Sequence, residues 1–143
     1  MSCRELFVIL KRYSEKMEFN RGCSKEMLES FQKKNGIVLP LPLAELLTCF
    51  DGGELFVPGT VIYGTGANGG ESLKDANRRE KRNIFKIPNT FLVFAKVNYG
   101  DFLCIDLNNN NEVIQWDHEL DEEFCRWNSL EEWLKDTIDN SDK

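Results

Sequence analysis

The order in which two hydrophobic periodicities follow one another along the chain is the feature that most constrains its fold. Apolar residues recur at helical spacing over the first third, short apolar runs bounded by turn residues fill the middle, and helical spacing returns at the end. Strands joined by tight turns must run antiparallel to their neighbours. Helices followed by a meander and one closing helix therefore predict an α+β fold with a mostly antiparallel central sheet, rather than a doubly wound α/β sheet.

Four segments are predicted to form amphipathic helices, each with one buried face. These helices follow the apolar stripe from Leu6 to Met17, begin after the N-cap Ser24, open at Pro40, and begin at Ser129 with Glu132 completing a capping box. A further helix from Ser72 to about Arg82 has only two apolar positions. We expect that helix to lie exposed and to be loosely held.

Strands are predicted in the second half of the chain and just before it. The predicted strands are Glu54–Val57, Thr60–Tyr63, Thr90–Ala95, Phe102–Leu107 and Glu112–Trp116, separated by turn residues such as Pro58-Gly59 and four consecutive asparagines. The stretch between the last strand and the closing helix is expected to be irregular. With 143 residues and no recognisable linker, the chain is predicted to form a single domain over residues 1–143.

Charge is divided unevenly between the two ends of the chain. Residues 1–100 carry 15 basic and 11 acidic side chains, whereas residues 101–143 carry three basic and 13 acidic ones. Such a division favours a partner of positive charge and disfavours direct binding to nucleic acid, whose phosphates the acidic third would repel. The longest apolar runs fall far short of the ~20 residues that a membrane-spanning helix needs, so no membrane association is expected.

Cysteine usage and the N-terminal segment agree with a cytoplasmic location. The five cysteines are scattered without a CxxC pair, and the N-terminal apolar run is too short for a secretory signal. Cys49 and Cys104 lie in apolar segments and are expected to be buried thiols. A structural metal or disulfide is not needed at this chain length.

Motifs that could support catalysis or cofactor binding are weak. The GxGxxG match at Gly64 to Gly69 lacks the parallel βαβ context of a dinucleotide site, and we interpret it as a flexible glycine loop. His118 is the only histidine, so neither a zinc centre nor a histidine-based triad is indicated, and no cofactor is expected. A hydrolase using carboxylates such as Asp106 and Glu119 stays open as the least favoured alternative.

The acidic third also concentrates aromatic residues. Trp116 and Trp133 lie in predicted elements and are expected to be core, whereas Phe124 and Trp127 lie beside the acidic residues, where packing beneath the loop is the simpler interpretation. If either were exposed, an aromatic side chain with an acidic rim would suit a basic protein partner. The candidate partner-binding residues are Asp117, His118, Glu119, Asp121, Glu122, Glu123 and Trp127.

A basic cluster precedes the long strands. It comprises Arg78, Arg79, Lys81, Arg82 and Lys86. We interpret it as a solvated helix face, which could also dock against the acidic region of the same chain or of a second copy. A homodimer therefore remains open.

Several short blocks, in order, resemble one known family over residues from about Ser24 to Lys135. The blocks are Ile37-Val38-Leu39-Pro40, Asp51-Gly52-Gly53-Glu54-Leu55, Ile62-Tyr63-Gly64, Leu92-Val93-Phe94-Ala95, Tyr99-Gly100-Asp101, Cys104-Ile105-Asp106-Leu107, Val113-Ile114-Gln115-Trp116-Asp117-His118-Glu119 and Ser129-Leu130-Glu131-Glu132-Trp133-Leu134. Their pattern resembles the SUKH superfamily, which includes the fungal Smi and Knr cell-wall regulators and many bacterial immunity proteins. Asp51 departs from the family pattern, in which asparagine is common.

The resemblance implies the SUKH fold and a protein-binding domain without catalytic activity. Bacterial members of the family typically block a toxin domain by direct binding, and many such toxins are nucleases with basic clefts. Our leading hypothesis is therefore an immunity protein that neutralises a basic, nuclease-type polymorphic toxin. The alternative is a regulatory interaction module without a toxin partner, as in the fungal relatives.

Overall fold

The computed structural model, which describes residues 1–81 and 85–141, contains one continuous sheet whose strands follow chain order. The strands are β1 (Glu18–Phe19), β2 (Gly53–Leu55), β3 (Thr60–Ile62), β4 (Phe91–Val97), β5 (Phe102–Asp106), β6 (Glu112–Asp117) and β7 (Glu122–Trp127). Every strand is antiparallel to its neighbours. The predicted α+β fold with an antiparallel sheet is confirmed.

Five α-helices accompany the sheet in the described ranges. They are α1 (Cys3–Leu10), α2 (Lys25–Asn35), α3 (Leu41–Cys49), α4 (Leu73–Glu80) and α5 (Leu130–Ser141). Ser24 caps α2, as the sequence predicts. At the start of α5, Ser129 Oγ accepts the backbone N–H of Glu132, which is one half of the predicted capping box, whereas the Glu132 carboxylate accepts the backbone N–H of Asn128 at 3.0 Å. None of the helices in the described chain is long and apolar enough to cross a membrane.

The sheet is covered on both faces. Phe102 and Leu103 are consecutive in β5 and therefore point to opposite sides. Helix α5 lies over the side of Leu103, and Trp133 of α5 packs edge-on against Phe94 at 5.3 Å. On the other side, Phe85 packs against Phe102 at 4.9 Å. Side chains therefore cover both faces of the sheet, and its two edges are the outer strands β1 and β7.

Two predictions are wrong, one about an edge of the sheet and one about the first helix. The stretch expected to be irregular forms β7, whose charged residues conceal the alternation that identifies strands and are typical of a sheet edge. The stripe from Leu6 to Met17 is not one α-helix, because α1 ends at Leu10 and a 3₁₀ helix follows over Lys11–Lys16. Of the two cysteines expected to be buried, Cys104 is and Cys49 is only half-buried.

The sequence predicts that helix α4 lies exposed and is loosely held, and this prediction is wrong. Leu73, Ala76 and Glu80 are buried. The Asn77 side chain also donates to the Val93 carbonyl and accepts the Val93 backbone N–H, both at 2.8 Å. A polar side chain thus ties the helix to β4, which a count of apolar positions could not reveal. The predicted end at Arg82 lies outside the described residues.

Candidate functional site

The acidic residues predicted to bind a partner lie in the turn between β6 and β7 and at the adjoining strand ends. We call this segment the acidic hairpin (residues 117–123). Asp117 stabilises the turn from within, because one carboxylate oxygen accepts the backbone N–H groups of Glu119 at 2.8 Å and Leu120 at 3.0 Å. Asp121 adopts a left-handed φ of 56°, which aspartate tolerates better than most residues. Asp117 and Asp121 therefore both have a structural role in shaping the turn.

Asp121 also points back toward the protein. Its carboxylate accepts the Trp116 indole N–H at 3.0 Å and the backbone N–H of Lys86 at 2.8 Å. Trp116 in turn packs edge-on against Phe91, with ring centroids 6.2 Å apart. Asp121 consequently joins the hairpin to the segment after α4, and its carboxylate has internal partners.

His118 is held by a buried carboxylate on the preceding hairpin. Asp101 Oδ1 lies 2.5 Å from the imidazole Nδ1 and accepts the backbone N–H of His118 at 3.1 Å, and Asp101 Oδ2 accepts from Gln115 at 2.8 Å. Burial alone would raise the pKa of Asp101, but these hydrogen bonds outweigh burial and lower it below its ordinary value. Gly100 makes room for the ring, since a Cβ there would lie 2.8 Å from Nε2.

The rest of the acidic hairpin faces solvent together with two large apolar side chains. The side chain of Glu119 is 81% exposed, and Glu122 is exposed. Leu120 is 68% exposed and Phe124 is 66% exposed. Phe124 lies where the register between β6 and β7 shifts, so it has no partner on β6. The expectation that Phe124 packs beneath a loop is therefore wrong. Phe124 is instead an exposed aromatic side chain beside acidic residues, the arrangement that would suit a basic protein partner.

Glu123 is partly engaged by Arg126. The Arg126 guanidinium pairs with Glu123 at 2.7 Å, Glu112 at 2.9 Å and Asp106 at 3.2 Å. It also lies over the Phe91 ring, 5.9 Å from its centroid. Hydrogen bonding to Glu123 and the other carboxylates raises the pKa of Arg126 further above its usual range. The network ties β7 to β5 and β6 and partly neutralises Glu123.

Trp127 lies apart from the acidic hairpin. It pairs with Val113 at the opposite end of β7 from Glu122, which pairs with Asp117. Its indole N–H donates to Asp136 of α5 at 3.1 Å, and the ring is half-buried. The structure thus brings six of the seven predicted residues together and separates the seventh. Leu120 was missed because a single leucine in a turn carries no sequence signal.

Three side chains of the types that ligate cations lie together at the base of the hairpin. In the described ranges, one group of histidine, cysteine and carboxylate ligand atoms lies within 4.8 Å of one another, on Asp101, Asp117 and His118. Asp101 and Asp117 already accept the hydrogen bonds described above. Their contacts explain the arrangement as a means of shaping the hairpin.

The two carboxylates considered for hydrolysis do not form a pair. Asp106 ends β5 and lies opposite Glu112 at the start of β6, whereas Glu119 follows the end of β6. Six residues of strand separate the two ends by roughly 20 Å. Paired carboxylates of glycosidases are about 10 Å apart or closer. Asp106 and Glu119 are therefore not positioned to act on one bond.

The glycine loop (residues 64–70) is organised around the buried Asp51. The Asp51 carboxylate accepts the Thr65 backbone N–H at 2.7 Å, the Thr65 hydroxyl at 2.6 Å and the Asn68 side-chain amide at 3.3 Å. Gly64 is required beside it, because a Cβ there would lie 2.3 Å from Asp51 Oδ1. The loop's polar groups thus bind a carboxylate of the protein itself.

Comparison with models of protein families identifies a family that covers most of the chain. The model of the SMI1 / KNR4 family (SUKH-1) matches residues 22–136, which include the helices α2 to α4, strands β2 to β7 and the first half of α5. No curated protein matches the chain.

Proposed function

The chain belongs to the SMI1 / KNR4 family (SUKH-1), and from this premise we propose that it is a protein-binding domain without catalytic activity. Within that class, we propose an immunity protein that neutralises a basic, nuclease-type toxin domain by direct binding. The acidic hairpin is the proposed contact surface. Asp117, His118 and Asp121 shape this surface from within, whereas Glu119, Glu122 and Glu123 supply its charge.

The observation that carries this proposal is the exposure of Phe124 and Leu120 between carboxylates. Large apolar side chains that are about two-thirds exposed lose contact with water when a partner covers them, which stabilises a complex. Glu119 and Glu122 surround them with negative charge. Such a patch matches an apolar pocket whose rim carries lysine and arginine side chains.

Electrostatics adds speed and selectivity to this contact. The acidic hairpin lies in the part of the chain that carries 13 acidic and three basic residues. A cationic toxin cleft would be attracted before contact, which raises the association rate and makes it sensitive to salt. A protein occupying such a cleft would exclude the nucleic acid substrate.

The test is co-expression with the product of the neighbouring open reading frame. We expect that product to be lethal alone and harmless with this chain, and we expect the two proteins to form a 1:1 complex. Replacing Glu119 and Glu122 with lysine should weaken the complex at least about tenfold, measured by calorimetry at low salt, because charge complementarity becomes repulsion. The matched control replaces the exposed Glu15 and Glu29 with lysine, which changes the net charge equally.

The outcomes separate the alternatives. Equal affinity of the hairpin variant and the control variant would refute the proposed surface. A neighbouring product that is harmless and does not co-purify would instead favour a regulatory interaction module of the fungal type.

A further inference from the structure

An open groove of about 260 Å³ lies between α4, the loop after α2 and the ends of β4 and β5. Its apolar lining includes Val38, which is 84% exposed, Leu107, which is 42% exposed, and the buried Phe91. Exposed aliphatic side chains beside a concave apolar surface are typical of a docking site. The proposed toxin contact does not use this groove.

The rim of the groove is cationic. Lys74 lies in the first turn of α4, and Lys81 is the C-cap residue that follows its last residue, Glu80. Both lysines line the groove together with Asn77 of α4. Lys81 donates to the Asn89 carbonyl at 3.3 Å, and neither lysine forms an ion pair within the part of the chain that the structure describes. The described lining includes no carboxylate. The groove therefore suits a segment that presents both carboxylates and a large apolar side chain.

The acidic hairpin of this same protein has that composition. Glu119 and Leu120 are adjacent and both exposed, and Glu122 is followed two residues later by the exposed Phe124. Their carboxylates would meet the two lysines while an apolar side chain enters the groove. We propose that a second copy of this chain occupies the groove with its acidic hairpin.

The placement of the two surfaces allows such a contact to close into a dimer. Phe91 lines the groove and packs on Trp116, and the Trp116 indole donates to Asp121 of the hairpin. The side chains of Phe91 and Trp116 thus connect the groove to the hairpin, and the two surfaces lie on the same side of the molecule. A two-fold axis between them would place each hairpin in the other copy's groove, so that the contact occurs twice and leaves no free end.

This inference does not rest on the proposed toxin partner, but it has a consequence for it. Within the dimer both acidic hairpins are covered. A basic partner would then have to compete with self-association for Leu120, Glu119 and Glu122. Dimerisation would protect the exposed apolar side chains until that partner is present.

Charge exchange between the two surfaces tests the proposal. The hairpin variant carries Glu119→Lys and Glu122→Lys, and the groove variant carries Lys74→Glu and Lys81→Glu. Each variant alone juxtaposes like charges at both contacts, so we expect dimerisation at least about tenfold weaker than in the wild type. An equimolar mixture restores opposite charges at both contacts and should form a heterodimer. Sedimentation velocity over a concentration series measures the assembly.

The controls separate charge exchange from loss of folding and from net charge. A variant with Arg12→Glu and Lys25→Glu alters the net charge as the groove variant does, at exposed sites elsewhere, and should dimerise like the wild type. If Lys81→Glu prevents folding, as judged by circular dichroism, Val38→Asp with Lys74→Glu replaces it and should remain monomeric. Dimers should also dissociate at about 1 M salt, because the Debye length is then about 3 Å and the attraction between the carboxylates and the lysines is screened.

Three results would overturn the proposal. One is a wild type that stays monomeric at every concentration reached, another is dimerisation of either reversed variant at wild-type strength, and the third is a mixture that stays monomeric. None of these results affects the toxin proposal, because the groove variant keeps its hairpin and should bind a basic partner at least as well as the wild type.

Discussion

Two loops of this protein hold carboxylates in opposite ways. In the glycine loop, Asp51 is fully buried and three donors from residues 65 and 68 converge on it. In the acidic hairpin, Asp121 and Asp117 bind backbone or indole N–H groups, while Glu119 and Glu122 extend into solvent. A carboxylate that organises a loop is thus surrounded by hydrogen-bond donors of the protein. A carboxylate that extends into solvent is the kind that a partner could bind.

The strongest test of this distinction is removal of the organising carboxylate. Asp51→Ala leaves the Thr65 N–H and hydroxyl and the Asn68 amide, which are partly buried, without their acceptor. We expect the free energy of unfolding to fall by about 3 kcal/mol or more, measured by urea denaturation. Glu119→Ala is the matched comparison and should change it by less than about 0.5 kcal/mol. Similar losses in both variants would abolish the distinction.

A second prediction divides the hairpin itself. Asp121→Ala removes the acceptor of the Trp116 indole and of the Lys86 N–H, and it places alanine at a φ of 56°. We expect a loss of about 2 kcal/mol and a changed tryptophan emission spectrum. Glu122→Ala, one residue further along, should preserve both properties. Equal behaviour of these neighbours would show that Asp121 does not hold the hairpin.

Sequence patterns predicted the fold, but they could not predict which of these carboxylates have hydrogen-bond donors inside the protein. Periodicity and caps determine the helices and the meander because burial of one face is a local property of the sequence. Whether Asp121 points inward depends on Trp116 and Lys86, which come from two other segments. The direction of an acidic side chain in a turn depends on hydrogen-bond donors that other segments of the chain supply. A run of acidic residues in the sequence contains no information about those donors.

The edge strand was missed for a related reason. In β7 only Cys125 and Trp127 are partly buried, and the register shift at Phe124 breaks the alternation that predicts strands. Trp127 was assigned to the partner surface because it is near the acidic residues in sequence. In the structure Trp127 lies at the end of β7 that is farther from the hairpin, where its ring contacts Asp136 of α5. Residues that are close in sequence are therefore separated in space by the length of the strand.

Acid should reveal a third, smaller effect at the base of the hairpin. Burial would raise the pKa of Asp101, but hydrogen bonds from His118 and Gln115 outweigh burial and hold that pKa below its ordinary value of 3.8 in the folded protein. Its stabilising contribution is therefore complete above that value and is lost as the pH falls toward the lower folded pKa. Unfolding free energies of the wild type and of Asp101→Asn should converge over that acidic range. A constant difference would show that Asp101 does not contribute in this way.

The smallest effect on stability is expected where the proposed effect on binding is largest. Phe124 is 66% exposed and has no partner on β6, so Phe124→Ser should change the free energy of unfolding by less than about 0.5 kcal/mol. Affinity for a basic partner should nevertheless fall about tenfold, because the apolar contact at the centre of the acidic patch is lost. Val61→Ser, at a 39% exposed position of β3, is the control for removing an exposed apolar group away from the hairpin. A Phe124 variant that is destabilised while its affinity is unchanged would place this side chain with Asp51 and Asp121, among the residues that maintain the fold rather than those that meet a partner.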